Sequence, residues 1–146
     1  MQPISERIIL TIWVGGMWVV GYIVAPTLFA MIEDRAMAGS IAGRLFMIMS
    51  YIGIFSAGFL LLTAFIRYSG RFIHEWRVWI LGLMLSLILI GEFVLQPQMA
   101  ALREGGILDT EKATFGMLHG IASVLFLITS VSGLVLVIFG LERKNQ

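Results

Sequence analysis

Hydrophobic positions along this chain fall into long unbroken runs rather than stripes. Ile8 to Ile32 contains no charged residue, and neither does Leu45 to Ile66. Val78 to Gln96 carries one, Glu92. Phe115 to Leu141 carries none, with His119 near its start. A helix that crosses a bilayer needs about 20 apolar residues, and each run meets that length. A helix that is apolar all round belongs in lipid or in a large core. The pattern therefore predicts an all-α fold, an integral-membrane four-helix bundle running up-down-up-down. Its helices cover about residues 8–32, 45–66, 77–96 and 115–141 of one membrane domain, 1–146. The first run exceeds a signal-peptide core of about 7–15 residues and reads as a retained helix.

The links Asp34 to Arg44, Arg67 to Arg77 and Pro97 to Thr114 are too short to fold alone, so any function sits between the helices or at their ends. Lys and Arg in short loops set orientation. The N-terminus, middle link and C-terminus carry Arg7, Arg67, Arg71, Arg77, Arg143 and Lys144. The other two links carry Arg35, Arg44, Arg103 and Lys112. The excess predicts both termini in the cytoplasm and a place in a bacterial inner membrane. "APTLFAM" followed by "GRLFMI", and "QPQMAAL" followed by "GMLHGI", form an internal echo. It reads as two parallel hairpins related by an axis along the membrane normal.

Composition narrows the chemistry. Hydrophobic residues make up 59% and charged residues 13%, and mean hydropathy is +0.95. A net charge of +1 gives no nucleic-acid surface. With no cysteine, disulfides, thiolate metal sites, iron–sulfur clusters and cysteine nucleophiles are excluded. No P-loop, dinucleotide glycine pattern, G-x-S-x-G or H-E-x-x-H is present. The reading leans away from an enzyme.

Glu92 is the costly residue. A charge at mid-bilayer costs about 2.5–3.5 kcal/mol on insertion scales, and such residues face the bundle interior. Gln96, Met99 and Arg103 share its stripe if the helix continues. Pro97 frees the carbonyl of Phe93 beside it, as Pro26 frees that of Tyr22. His119 lies at a similar depth in the next helix, between Gly116 and Gly120. Arg44, after Gly39-xxx-Gly43, opens the second helix at the same level. Glu92, His119 and Arg44, with Gln96 and Arg103, thus form a candidate ligand site. The competing reading is packing: a neutral or hydrogen-bonded Glu92, a satisfied histidine, and arginines reaching for headgroups. Thioethers suit Cu(I), so His119 with Met99 or Met117 is a candidate metal set. Gap-filling is the usual work of such methionines. With His74 on the opposite side, a haem needs His/Met ligation, one ligand or a second subunit. The small-residue faces Gly39/Gly43 and Gly116/Gly120 suit a homo-oligomer or a larger membrane complex.

"IWVGGMWVVGYIVAPTLFAM", "AGSIAGRLF", "QPQMAALR" and "FGMLHGIAS" together resemble the four-helix domain of the transmembrane protein 205-like proteins, a domain of unknown function. The resemblance covers about Ile8 to Leu141. That family is similar in layout to copper-resistance protein D-like membrane proteins and to the bacterial, haem-linked protoporphyrinogen oxidase. The resemblance implies a multi-pass membrane protein and points to copper or haem as cofactor. The function expected is a small multi-pass membrane protein with a polar site at the outer end of the bundle, for a metal ion, haem or small ligand. Alternatives are an accessory subunit of a membrane complex and an oligomeric proton-coupled transporter.

Overall fold

A computed structural model describes residues 4–104 and 110–140. Arg143, Lys144 and the end of the fourth helix at Leu141 lie outside the described residues, as does part of the last link. Among the described residues there is no strand. Four helices are long and apolar enough to cross a membrane: α1 (Ile4–Met31), α2 (Arg35–Tyr68), α3 (Trp76–Arg103) and α4 (Lys112–Phe139). Each packs against two neighbours, α1 on α2, α2 on α3, α3 on α4 and α4 on α1. Large apolar side chains such as Ile12, Phe55, Leu62, Phe93 and Ile138 point outward on every helix. In water that surface would be a severe liability; against lipid it is the solvated one.

The helices outrun the apolar runs that announce them. Asp34 explains where α2 starts. Its Oδ1 accepts the backbone N–H groups of Ala36 (2.9 Å) and Met37 (3.2 Å), satisfying donors that a helix start leaves open. The next residues are rich in alanine, and Ala38 and Ala42 are buried. The segment from Asp34 to Arg44, expected as a link, is therefore mostly helix. At about 1.5 Å per residue α2 extends well past a hydrocarbon core of about 30 Å.

Pro26 and Pro97 are carried inside helices. Proline lacks the N–H a helix requires and crowds the carbonyl four residues back. α1 and α3 answer alike, by widening one turn. Val20–Val24 and Gly91–Leu95 are π-helical, and the N–H groups of Ala25 and Gln96 bond to the carbonyls of Val20 and Gly91. One turn on, Thr27 Oγ1 donates to the Ile23 carbonyl (2.6 Å) and Gln98 Nε2 to that of Val94 (2.9 Å). Such side-chain donors satisfy backbone that proline disturbs. The same spacing that relates Pro26 to Pro97 relates Leu10 to Leu81 and Trp13 to Met84, all buried but the prolines. α1 and α3 thus share one pattern of buried positions, π turn and proline at a constant offset.

The main core joins all four helices: Leu10, Trp13, Val14 and Met17 of α1, Ala57 and Leu60 of α2, Leu81 and Met84 of α3, and Leu136 of α4. Glycines set its closeness. A Cβ at Gly53 would lie 2.9 Å from both Trp13 Nε1 and Ile88 Cδ1, and one at Gly133 would lie 2.8 Å from Val14. Buried Ser130 adds polar ties between α1 and α4: Trp18 Nε1 donates to its carbonyl (3.2 Å), and its hydroxyl pairs with Tyr22 (2.8 Å). A smaller cluster, Leu95, Met99 and Leu118, fills the other end between α3 and α4.

Candidate functional site

α3 continues through Pro97, so Glu92, Gln96, Met99 and Arg103 lie on a single helix, Glu92 within the π turn and the other three beyond it. The four fare differently. Met99 is buried in the small apolar cluster. Glu92 and Gln96 are half-buried. Arg103, at the end, turns back across the bundle. Its guanidinium lies over the Phe115 ring at 5.3 Å, and its Nη1 comes 3.3 Å from where a Cβ on Gly43 would stand. The Phe115 ring in turn stacks on His119, centroids 6.3 Å apart. Arg103, Phe115 and His119 therefore make one row, and the arginine drawn into it is Arg103. Arg44 is exposed.

Among the described residues, the side chains of Glu92, Arg44 and His119 make no hydrogen bond or ion pair. A half-buried carboxylate within a span, with no partner among the described residues, is expensive. Met117 is two residues from His119, hence on another side of α4, and is 61% exposed. Among the described residues no group of three or more His, Asp or Glu side chains could hold a metal ion.

The two small-residue faces also differ. Gly39 meets the Phe29 ring at 3.8 Å and Gly43 meets Arg103, so that face packs within the chain. Gly116 and Gly120 have nothing within 4 Å of a Cβ.

The best-formed polar site among the described residues is at the opposite end, and the apolar runs do not reveal it. Glu6, in the first turn of α1, is 4% exposed. Both of its oxygens accept from Arg67, near the end of α2, with Nη1 to Oε2 at 3.1 Å. Such a bidentate carboxylate–guanidinium fork is the strong form of an ion pair. The pair lines a small cavity of about 30 Å³ with Tyr68, Arg77 and apolar side chains from all four helices, among them Leu10, Leu60, Leu81 and Leu136. The buried Nε of Arg77 has no hydrogen-bond partner among the described residues. One signal for Glu6 was present in the sequence. It shares the helical face of Leu10, Trp13, Val14 and Met17, the face α1 buries.

Comparison with known families matches a family model, "Domain of unknown function (DUF4149)", over residues 8–107. The chain belongs to the DUF4149 family. No curated protein matches it, and no solved structure does. The DUF4149 segment takes in α1 from Ile8, all of α2 and all of α3. Arg44, Arg67, Arg77, Glu92, Gln96, Met99 and Arg103 thus lie inside it, whereas Glu6, Met117 and His119 lie outside.

Proposed function

We propose that this DUF4149 protein is a small multi-pass membrane protein that binds a small polar ligand at the Arg103 end of its bundle. The observation that carries the reading is Glu92, a half-buried carboxylate in a span without a partner in its own chain among the described residues. In this reading Glu92 is the anionic partner of the ligand and Gln96 a hydrogen-bonding neighbour. Arg103 closes the outer rim, His119 relays a proton, and Arg44 balances charge from α2. The side is the outer one if both termini lie in the cytoplasm, as the Lys and Arg excess favours, and the membrane of this reading is a bacterial inner membrane.

The resemblance to transmembrane protein 205-like proteins, and through them to copper-resistance membrane proteins, makes copper and haem the first ligands to assay. His119 and Met99 are the donors to test, with Met117 the outward-facing control. Purified protein in mild detergent is compared as wild type, Glu92→Gln and His119→Ala. Metal analysis, an absorbance spectrum and mass spectrometry of a denaturing extract together read metal, haem and organic ligands. Wild type should carry one species that Glu92→Gln loses. Finding no co-purified species in wild type would sink the reading.

A second reading, an accessory subunit or homo-oligomer, is favoured by the open Gly116/Gly120 face. Small residues at that spacing let another helix approach closely. A Gly120→Leu variant that migrates as the wild type does on a native gel counts against it.

A further inference from the structure

The cavity at the Glu6 end is lined by two arginines and one carboxylate. Glu6 and Arg67 satisfy each other through both carboxylate oxygens, so their charges cancel. Arg77 lines the same cavity from the first turn of α3. Its guanidinium sits 5.7 Å from the Trp76 ring, but the Nε–H is buried and has no partner among the described residues. A buried donor on a charged group is costly when unmet, and such groups are satisfied by water or by an anion.

We propose that this cavity is a phosphate seat, with Arg77 gripping the phosphate side-on. Three features support an anion of that shape. The cluster of Glu6, Arg67 and Arg77 keeps a net positive charge. An arginine offers Nε–H and one Nη–H in parallel, a fork that matches two phosphate oxygens. The cavity, about 30 Å³, admits roughly one oxygen-sized atom, so one phosphate oxygen enters while the rest of the group stays outside. Depth points to a lipid headgroup as the source. Trp76 and Trp79, both exposed, flank Arg77, and indole rings gather where headgroups meet hydrocarbon. Free phosphate shares the chemistry and is separated by experiment.

The test is thermal unfolding of the full chain in mild detergent, with phosphatidylglycerol, with diacylglycerol of the same acyl chains, or with inorganic phosphate. Phosphatidylglycerol should raise Tm of the wild type by roughly 5 °C, as a ligand selective for the folded state does, and diacylglycerol should not. Arg77→Lys keeps the charge, loses the side-on fork, and should lose roughly half or more of that rise. Arg71→Gln, exposed on the same link, should keep it. An Arg77-dependent rise with inorganic phosphate alone assigns the seat to the free anion. Equal rises for phosphatidylglycerol and diacylglycerol overturn the proposal on wild-type protein alone. So does a rise that survives in Arg77→Lys, or one lost in Arg71→Gln.

Discussion

Glu6 carries more structural weight than any other charged residue described. It is 4% exposed, whereas the side chain of its partner Arg67 is 31% exposed. Removing one member of a fully buried pair costs about 3–5 kcal/mol, because the other charge is left stranded. With Arg67 partly solvated, Glu6→Gln should cost about 2–3 kcal/mol, less than the fully buried limit. Reversible unfolding in mixed micelles measures it. The double variant Glu6→Leu with Arg67→Leu should recover most of that loss, since no charge then remains unpaired. If the double variant is as unstable as the sum of the singles, the pair is not the unit that matters. Glu92 is the contrast. It has no partner to lose among the described residues, so Glu92→Gln should leave stability within about 1 kcal/mol of wild type while altering any ligand bound.

At the scale of the helices, glycine spacing decides how closely α1, α2 and α4 approach. Gly53 sits under Trp13 and Ile88, and Gly133 under Val14 and Met84. Gly53→Ala and Gly133→Ala should each destabilise by about 1–3 kcal/mol through overpacking. The two losses should be comparable, because the rigid Trp13 ring at one and the β-branched Val14 at the other cannot swing away. Gly82, with nothing within 4 Å, is the control. Gly82→Ala should be neutral or stabilising, by up to about 1 kcal/mol from helix propensity. Equal losses at all three positions would mean that close packing is not their role. The π turns before Pro26 and Pro97 belong to this scale too. Each shifts the register of one helix, so residues beyond the turn face where a straight helix would not aim them.

For the whole molecule, four helices in a ring leave two chemically distinct ends. At one, Glu6, Arg67 and Arg77 surround a cavity. At the other, Arg103, Phe115 and His119 form a row. The chain has no cysteine, so single cysteines can report the side of each. His74 lies on the link between α2 and α3, and Glu33 on the link between α1 and α2, both exposed. If both termini are cytoplasmic, His74→Cys should react with a membrane-impermeant maleimide only after permeabilisation. An exposed cysteine at Glu33 should react in intact cells. The reverse pattern would invert the topology and put the Arg103 end of the bundle on the inside.

The sequence by itself determined the number of spans, because about 20 apolar residues in a row have few other stable fates. It also put Glu92, Gln96, Met99 and Arg103 in one span, but the π turn at Gly91–Leu95, which resets the register between Glu92 and the rest, was not legible in it. Asp34 was legible as a helix cap, though the apolar runs drew attention past it. What the tertiary structure alone decided was pairing. Arg67 reads as a loop charge until Glu6, far away in sequence, closes on it. Arg103 and Arg44 look equivalent until only Arg103 folds over Phe115 against Gly43. Gly39/Gly43 and Gly116/Gly120 look alike until one is covered and the other left open. Local pattern records which faces are apolar, whereas the partner of each polar group depends on how four helices are rotated against one another. That rotation is set by the packing of Trp13, Gly53 and Gly133, which no single run contains.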